Sequence, residues 1–220
     1  MRPVRFIKSW WLDIVALLAV LVIFVVPFAF ILLTASKDLP ESSRLEFTLP
    51  TTWQLLPNLG EVLSARNGLM FTAMRNSILL TVVSVTVIVI LSAMVGYVLQ
   101  RRQDRWADLF TILMLAGLVV PPAIVPTIYV LQSIGLFKTL AGMVLVEVAI
   151  LMPFSVLVFR AFVSAIPREL DEAALMDGAS PFTLFFKVIL PLLRPAMITV
   201  IVVASVGIYN DFTGPLYFLP

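Results

Sequence analysis

Cysteine and histidine are both missing from the 220 residues of this chain. Without them the chain offers no disulfide, no thiolate nucleophile, no Ser-His-Asp triad and no imidazole or thiolate ligand for a metal. The phosphate-binding pattern GxxxxGK[ST] is missing too, so the chain does not bind ATP by that route. The sequence therefore predicts no catalytic residue, no metal site and no cofactor on this chain.

Charge is scarce as well. Only 13% of the residues are Asp, Glu, Lys or Arg, about half of the share usual in soluble domains. Hydrophobic residues make up 61%, and the mean hydropathy is +1.08. The net charge is +2, and the basic residues form short clusters between apolar runs, unlike the continuous basic face that binds nucleic acid. This composition predicts an integral membrane protein in contact with lipid and gives no support for nucleic-acid binding.

Several apolar runs reach the length of about 20 residues that a helix needs to cross a bilayer. Five are predicted to span the membrane, at residues 14–33, 77–99, 109–131, 139–159 and 188–209. None shows the period-two alternation of barrel strands, so we predict an all-α protein. The first run exceeds the 7–15 apolar residues usual in a signal peptide and no clean A-x-A site follows it, which indicates a retained anchor.

Basic residues predict the orientation of these spans, because cytoplasmic loops are enriched in Lys and Arg. Clusters of three cations stand before the first span, between the second and third, and between the fourth and fifth. The N-terminal residues 1–13 and the connection 160–187 are therefore predicted to be cytoplasmic. The connection 34–76, too polar and too broken by Pro and Gly to be a span, and residues 210–220 are then predicted to lie outside.

A polar segment with the sequence ELDEAALMDGASPFTLFFKVILP occupies residues 169–191. Its carboxylates suit the first turn of a helix, and Gly178 is placed to adopt the left-handed conformation that ends one. Ser180 and Pro181 then suit the cap and first position of a second helix. From the residues alone, the segment fits an amphipathic surface helix as well as a docking element for another protein.

Residues 172–191 closely resemble the EAA-x3-G-x9-I-x-LP loop of the membrane subunits of ABC importers. The residues in register are Glu172, Ala173, Ala174, Gly178, Leu190 and Pro191, with Val188 in place of the usual Ile. The stretches GYVLQR (96–101), IGLFKTLAGMVL (134–145) and YNDF (209–212) are similar to sequences in the maltose-type carbohydrate permeases of that family. The resemblance thus extends over most of the chain.

The resemblance implies an inner-membrane, multi-pass permease subunit with an ABC importer type I transmembrane fold. Its EAA loop would form a coupling helix docked on a separate ATPase dimer. The other implied partners are a second permease subunit, forming a heterodimer, and an extracytoplasmic solute-binding protein. The family core has six spans here, whereas this sequence shows five and stops in the predicted outer loop, so we expect a C-terminally truncated domain without the sixth.

Two features inside the spans are candidates for a substrate pathway. Glu147 is expected about 12 Å deep in its span, near the middle of a ~30 Å hydrocarbon core. Such a carboxyl usually faces the bundle interior, where it either accepts hydroxyls of a sugar or makes a structural contact between helices. The third span carries Pro121, Pro122 and Pro126, which either free carbonyls to line a cavity or only kink the helix.

At the outer end of the fifth span, Asn210 and Asp211 are predicted either to cap the helix and anchor the loop or to contact the binding protein. Two other functions stay open from the sequence. One is an ABC permease for another small solute, such as a polyamine or glycerol phosphate. The other is an ion-gradient-driven secondary transporter, which would need repeated halves or several buried ionisable residues.

Overall fold

The computed structural model describes residues 6–102 and 104–219. Within these ranges the chain folds into helices and short connections, and no β-strand occurs. The α-helices are α1 (Phe6–Ala35), α2 (Leu39–Ser42), α3 (Leu55–Arg101), α4 (Arg105–Val119), α5 (Ile124–Ser133), α6 (Leu140–Ser164), α7 (Glu169–Met176), α8 (Pro181–Thr183), α9 (Leu190–Leu192), α10 (Arg194–Asn210) and α11 (Thr213–Phe218). A π-helical turn, Leu184–Ile189, joins α8 to α9. The prediction of an all-α protein is confirmed.

The chain divides within α3 into two compact units, residues 1–73 and residues 74–220. In the first unit, α1 exposes its side chains over residues 10–28, nearly all of them apolar. A helix of this length that is apolar on all sides is suited to lipid rather than water. The predicted first span, 14–33, lies inside α1.

The end of α1 is fastened by hydrogen bonds from two polar side chains. The Asn58 amide donates to the carbonyl oxygens of Ala35, at 3.0 Å, and Lys37, at 2.8 Å. The Lys37 ammonium is buried and donates to the Glu46 carbonyl at 2.8 Å and to the Thr48 hydroxyl at 2.9 Å. These contacts satisfy carbonyls near the end of a helix and hold the connection that follows it.

Three helices are long and apolar enough to cross a membrane, and a bent pair makes a possible fourth crossing. The three are Trp10–Ala35, Gly68–Arg101 and Leu140–Ser164, and the pair, bent by 77°, is Pro181–Leu192 with Arg194–Asn210. The predicted connection 34–76 is partly helical, because α3 already begins at Leu55. The number of spans, predicted as five, stays a prediction.

The predicted third span, 109–131, is not one helix. It is divided between α4 and α5, with residues 120–123 outside any helix. Pro121 and Pro122 account for the break, because proline has no N–H to donate and its ring clashes with the preceding turn. Pro126 is accommodated in the first turn of α5, where an N–H would lack a partner anyway.

The core of the second unit forms where α3, α6 and α10 bury their apolar faces. Ile88 of α3, Phe159 of α6 and Val200 of α10 are almost completely buried. Gly96 lets α3 approach α6 closely, since a Cβ there would lie 2.9 Å from Phe159 Cβ and 3.0 Å from the Val156 carbonyl oxygen. Small residues at such contacts are typical of helices that pack within membranes.

Candidate coupling helix and membrane cavity

Residues 169–191 form a hairpin whose first arm is α7 and whose second arm comprises α8, the π-helical turn and α9. The first turn of the eight-residue helix α7 contains Glu169, Asp171 and Glu172. These carboxylates favour the positive end of the helix dipole. The helix ends at Gly178, whose φ of 80° lies in the left-handed region. The Gly178 N–H donates to the Leu175 carbonyl, and the N–H of the next residue donates to the Ala174 carbonyl, both at 3.0 Å. This is the Schellman ending, and it confirms the predicted conformation of Gly178.

The second arm restarts as predicted, because the Ser180 hydroxyl accepts the Thr183 N–H at 3.2 Å and Pro181 occupies the first helical position. The π-helical turn follows, and then Leu190 and Pro191 occupy the single turn of α9. The 77° bend comes directly after that turn, where α10 begins. Pro191 and the π-helical turn both interrupt the regular hydrogen bonds of an α-helix, and together they account for the bend.

Asp171 and Ala174 form the inner face of α7. Ala174 packs against the hydrophobic core of the second unit. Asp171 Oδ2 lies 2.6 Å from Nε of Arg101, the last residue of α3, and both side chains are mostly buried, at 13% and 14% exposed. Arg101 Nη2 also donates to the carbonyl oxygen of Ile166 at 3.1 Å. The ion pair thus joins α7 to the end of a membrane helix and to the connection that follows α6.

The pairing of Arg101 with Asp171 is not evident from the sequence. The signal available was that Asp171 and Ala174 are three residues apart and so share a helix face. Without the fold, nothing in the sequence indicates that this face meets Arg101.

The outer surface of the hairpin is uncovered in the described chain and carries both apolar and acidic side chains. Met176 is 88% exposed and Phe182 is 68% exposed. Leu175, Glu172 and Ala173 of α7 are exposed as well. The motif residues are therefore divided: Glu172, Ala173 and Gly178 lie at the surface, whereas Ala174 packs inward and Leu190 is partly buried.

A cavity of about 830 Å³ lies in the second unit, between the break that separates α4 from α5, helix α6 and the segment that contains α11. Pro121 and Pro122 line it, as do Glu147 and Asp211. Glu147 is 5% exposed, and its carboxyl lies within hydrogen-bond reach of the Asp211 carboxyl. Glu147 is predicted to belong to the substrate pathway, and Asp211 is predicted to lie in the outer loop. The structure places both side chains in the wall of one cavity.

Asp211 and Asn210 are engaged within the chain. Asp211 Oδ1 accepts the Thr213 N–H at 3.0 Å, and its Oδ2 accepts the Gly214 N–H at 2.9 Å. The Asn210 amide donates to the Val206 carbonyl at 2.8 Å. These bonds begin α11, which folds back against α6 and buries Phe218. Asp211 therefore anchors the segment that follows α10, and its side chain accepts N–H groups at the start of α11 rather than capping α10 itself.

No group of three or more Asp, Glu, Cys or His side chains that could hold a metal ion occurs in the parts of the chain that the structure describes. The exposed hairpin and the cavity are the two candidate functional sites of the described chain. Long apolar helices, a break beside a buried carboxyl and an exposed hairpin together define a helical membrane protein.

Residues 88–220 match the model of the binding-protein-dependent transport system inner membrane component family, and the chain belongs to that family. The Streptomyces coelicolor diacetylchitobiose uptake system permease protein NgcG is 34% identical over 197 residues, covering 89% of this chain and 64% of that protein. A putative ABC transporter permease, ORF2 of Caldicellulosiruptor, is 30% identical over 213 residues, covering 95% and 75%.

Among solved structures, a bacterial ABC transporter involved in the import of the acidic polysaccharide alginate superposes with a TM-score of 0.80 at 22% identity. The match covers 97% of this chain and 73% of that one and shows a shared fold. These findings confirm the family resemblance identified from the EAA loop. They place the chain among transport components rather than enzymes.

Proposed function

We propose that this chain is a membrane-spanning permease subunit of an ATP-driven carbohydrate importer and that its α7 hairpin couples it to a separate ATPase. The observation that carries the proposal is the division of α7 into two faces. One face is fixed inward by the Arg101–Asp171 ion pair and by Ala174, and the other presents apolar side chains to a partner. The uptake of diacetylchitobiose by the system that contains NgcG supports a carbohydrate as the cargo.

The exposed face has the character of a docking surface. Met176, Leu175 and Phe182 are exposed apolar side chains of the hairpin and make up the proposed docking patch, and Glu172 is an exposed carboxylate of α7. Exposed apolar patches bordered by polar residues mark interaction sites. Ala173 is small and exposed, so a groove on the ATPase can approach the α7 backbone at that point. Burial of the patch in such a groove is the expected source of affinity.

Movement of α7 would reach several membrane helices at once. The short connection 165–168 joins it to α6, the ion pair joins it to α3, and the second arm leads through the bend to α10. A push from the ATPase would therefore shift three helices together and alternate the access of the cavity. Packed helices of this kind change between discrete arrangements rather than deforming gradually.

The proposal includes a cytoplasmic N-terminus and hairpin in the inner membrane. It also includes a second permease subunit forming a heterodimer, an ATPase dimer and an extracytoplasmic solute-binding protein. Contact of Asn210 and Asp211 with the binding protein stays a prediction, as does the identity of the carbohydrate. A polyamine, a glycerol phosphate or a similar solute is the alternative cargo of the same machinery.

Co-purification of the full-length chain with the candidate ATPase and permease partners tests the docking surface. Met176→Asp, which changes the most exposed apolar side chain of α7, is expected to abolish capture of the ATPase and to leave membrane insertion unchanged. The matched control is Met176→Leu, which keeps the apolar side chain and should capture the ATPase normally. Equal capture by wild type and Met176→Asp would overturn the proposed docking surface.

A further inference from the structure

A second cavity, of about 680 Å³, lies within the first unit between the end of α1, helix α2 and the beginning of α3. Its apolar wall includes Phe30 and Ile31 of α1 and Leu59 and Val62 of α3. Phe30 and Ile31 lie within one turn of the exposed apolar side chains of residues 10–28, which suit lipid. The wall of this cavity thus extends a surface that the membrane is expected to cover.

The same cavity is lined by a lysine whose charge is buried without a counter-ion. Lys37 is 2% exposed, and its ammonium donates only to neutral groups, the Glu46 carbonyl and the Thr48 hydroxyl. No carboxylate among the described residues lies within 4 Å of its nitrogen. An ammonium group has three hydrogens, so one of them and the whole positive charge stay available to an anion. Burial of an unpaired charge is costly, and an anion in the cavity would reduce that cost.

A second polar group in the wall also lacks a partner. The Thr34 hydroxyl is buried and makes no hydrogen bond with any described residue. Buried polar atoms of folded proteins nearly always have a partner, and those without one need an explanation. The Lys37 N–H donates to the Thr34 carbonyl at 3.2 Å, so the two residues share one turn at the end of α1. Two unused donors therefore lie in one part of the cavity wall.

Glu61 adds a negative group to this wall. It is an exposed residue of α3 and makes no ion pair with Lys37. A ligand that carries both an anion and a cation matches such a wall better than a simple anion does, because each of its charges meets the opposite one.

The order of these groups along α1 corresponds to a membrane interface. The candidate membrane span ends at Ala35, so Phe30 and Ile31 lie inside it and Lys37 lies two residues beyond it. A phospholipid has the same order, with its acyl chains in the hydrocarbon core and its phosphate at the surface. Basic pockets beside membrane helices are known to bind lipid headgroups.

We propose that this cavity binds one membrane phospholipid with an ethanolamine headgroup. Its phosphate accepts hydrogens from Lys37 and Thr34, its ammonium lies at Glu61, and one acyl chain covers the apolar wall. The volume of about 680 Å³ lies within the range of small-molecule sites and holds the headgroup with the first part of a chain. The lipid would stabilise the packing of the end of α1 against the beginning of α3.

Native mass spectrometry of the full-length chain, released from detergent micelles, measures the binding of four probes. They are phosphatidylethanolamine, phosphatidylglycerol and diacylglycerol with the same chains, and the water-soluble headgroup glycerophosphoethanolamine. We expect phosphatidylethanolamine to bind at least about tenfold more tightly than diacylglycerol, because only the former forms the charge-assisted hydrogen bond. It should exceed phosphatidylglycerol about threefold through the exposed Glu61. The soluble headgroup should bind at least about tenfold more weakly than the intact lipid, because it leaves the apolar wall uncovered.

Three variants assign these preferences to side chains. Lys37→Met should weaken phosphatidylethanolamine about tenfold, and Glu61→Gln should remove its advantage over phosphatidylglycerol. Val62→Trp, which enlarges an apolar side chain of the wall, should weaken both phospholipids equally. The matched control is Lys138→Met, which removes an exposed lysine of the second unit and should change no affinity.

Equal binding of phosphatidylethanolamine and diacylglycerol, or unchanged binding in Lys37→Met, would overturn the proposal. Binding of glycerophosphoethanolamine as tight as that of the intact lipid would also overturn it, in favour of a soluble phosphate compound. If Lys37→Met does not fold, Val62→Trp and Glu61→Gln decide, and unchanged affinities in both would refute the lipid site. Lipid binding at this cavity is separate from the hairpin, so normal ATPase capture with no lipid preference would leave the coupling function intact.

Discussion

At the scale of single residues, Gly96 and Gly178 have different reasons for lacking a side chain. Gly96 lies against the backbone of α6, so an added methyl group would collide with Phe159 and Val156. Gly178 has no atom within 4 Å of such a methyl group, but its φ of 80° disfavours any L side chain. One glycine serves packing in the membrane, and the other serves the shape of the hairpin.

These reasons predict different failures. Gly96→Val should separate α3 from α6 and lower the midpoint of thermal unfolding in detergent. Gly178→Val should abolish sugar-stimulated ATPase activity of the assembled importer and lower that midpoint less than Gly96→Val does, because the exposed hairpin can relieve the strain of a left-handed φ by changing its shape. Gly207→Ala in α10 is the control for both, since nothing lies within 4 Å of the added methyl group. A reversed pattern, with Gly178→Val unfolding the chain, would contradict this assignment.

Asp104 provides a residue-scale prediction about pH. Its side chain accepts the Ala107 N–H at 2.8 Å at the start of α4. This hydrogen bond, assisted by Arg102, holds the pKa of the Asp104 carboxyl below its ordinary value. A carboxylate with a lowered pKa stabilises the folded state above its ordinary pKa, and that contribution is lost as the pH falls through the lowered pKa.

Asp104→Ala should therefore unfold at a lower temperature than wild type at neutral pH, and the gap should shrink as the pH falls below the ordinary carboxyl value of about 3.9. Thermal unfolding of the chain in detergent, followed by circular dichroism, measures the gap. Asp104→Asn is the control, because it keeps a capping oxygen and does not titrate. A gap that stays constant from neutral to acidic pH would show that the carboxylate charge has no part in the cap.

At the scale of helices, the Arg101–Asp171 ion pair is the feature that fixes the orientation of α7. Loss of one partner from a largely buried pair leaves an uncompensated charge, which is more damaging than loss of both. The exposed pair between Arg102 and Asp104 lies nearby, with side chains 62% and 35% exposed, and pairs of that kind contribute little. The chain thus contains a buried pair and an exposed pair for comparison.

We expect Arg101→Gln and Asp171→Asn each to reduce sugar uptake per ATP hydrolysed, because α7 is no longer held to α3. The double variant should be less impaired than the two effects added together, and Arg102→Gln should behave as wild type. The measurement is uptake and ATP hydrolysis by the same proteoliposomes. Strict additivity of the single effects would indicate that the two side chains do not act as a pair.

Several of the helices followed from the sequence because local chemistry determines them. The apolar run of α1, the ending at Gly178 and the restart at Ser180 and Pro181 each depend on neighbouring residues only. The face that α7 turns inward depends on a contact between residues 101 and 171, which are distant in the sequence. The placement of Glu147 and Asp211 in one cavity likewise depends on contacts between residues that are distant in the sequence.

The proline break illustrates a second limit. Hydropathy over 109–131 is continuous, so the run predicts a single span, and the prolines alone do not decide between a kink and an interruption. The structure shows the interruption together with a cavity beside it, and an open space next to nonhelical backbone is a consequence of tertiary packing. The sequence identified Pro121 and Pro122 as candidates to line a cavity, but it could not show the cavity that both of them line.

At the scale of the whole molecule, the proposed mechanism requires the α7 hairpin and the residues after α10 to lie on opposite sides of the membrane. The hairpin must meet an ATPase inside the cell, whereas residues after α10 would meet a binding protein outside. Met176 and Phe212, at 88% and 76% exposed, are accessible markers for the two positions. Because the chain has no cysteine, each can be replaced by a single reactive thiol in an otherwise thiol-free protein.

A membrane-impermeant maleimide applied to right-side-out vesicles should label Phe212→Cys and not Met176→Cys, and inverted vesicles should give the opposite result. Detergent should then make both thiols reactive, which controls for burial of either side chain. We expect this labelling pattern because Arg101, Arg102 and Arg105 form a cationic cluster and Arg101 contacts the hairpin. Cations near membrane spans are retained on the cytoplasmic side. Labelling of Met176→Cys from the outside would place α7 where no ATPase can reach it, and the coupling function would have to be abandoned.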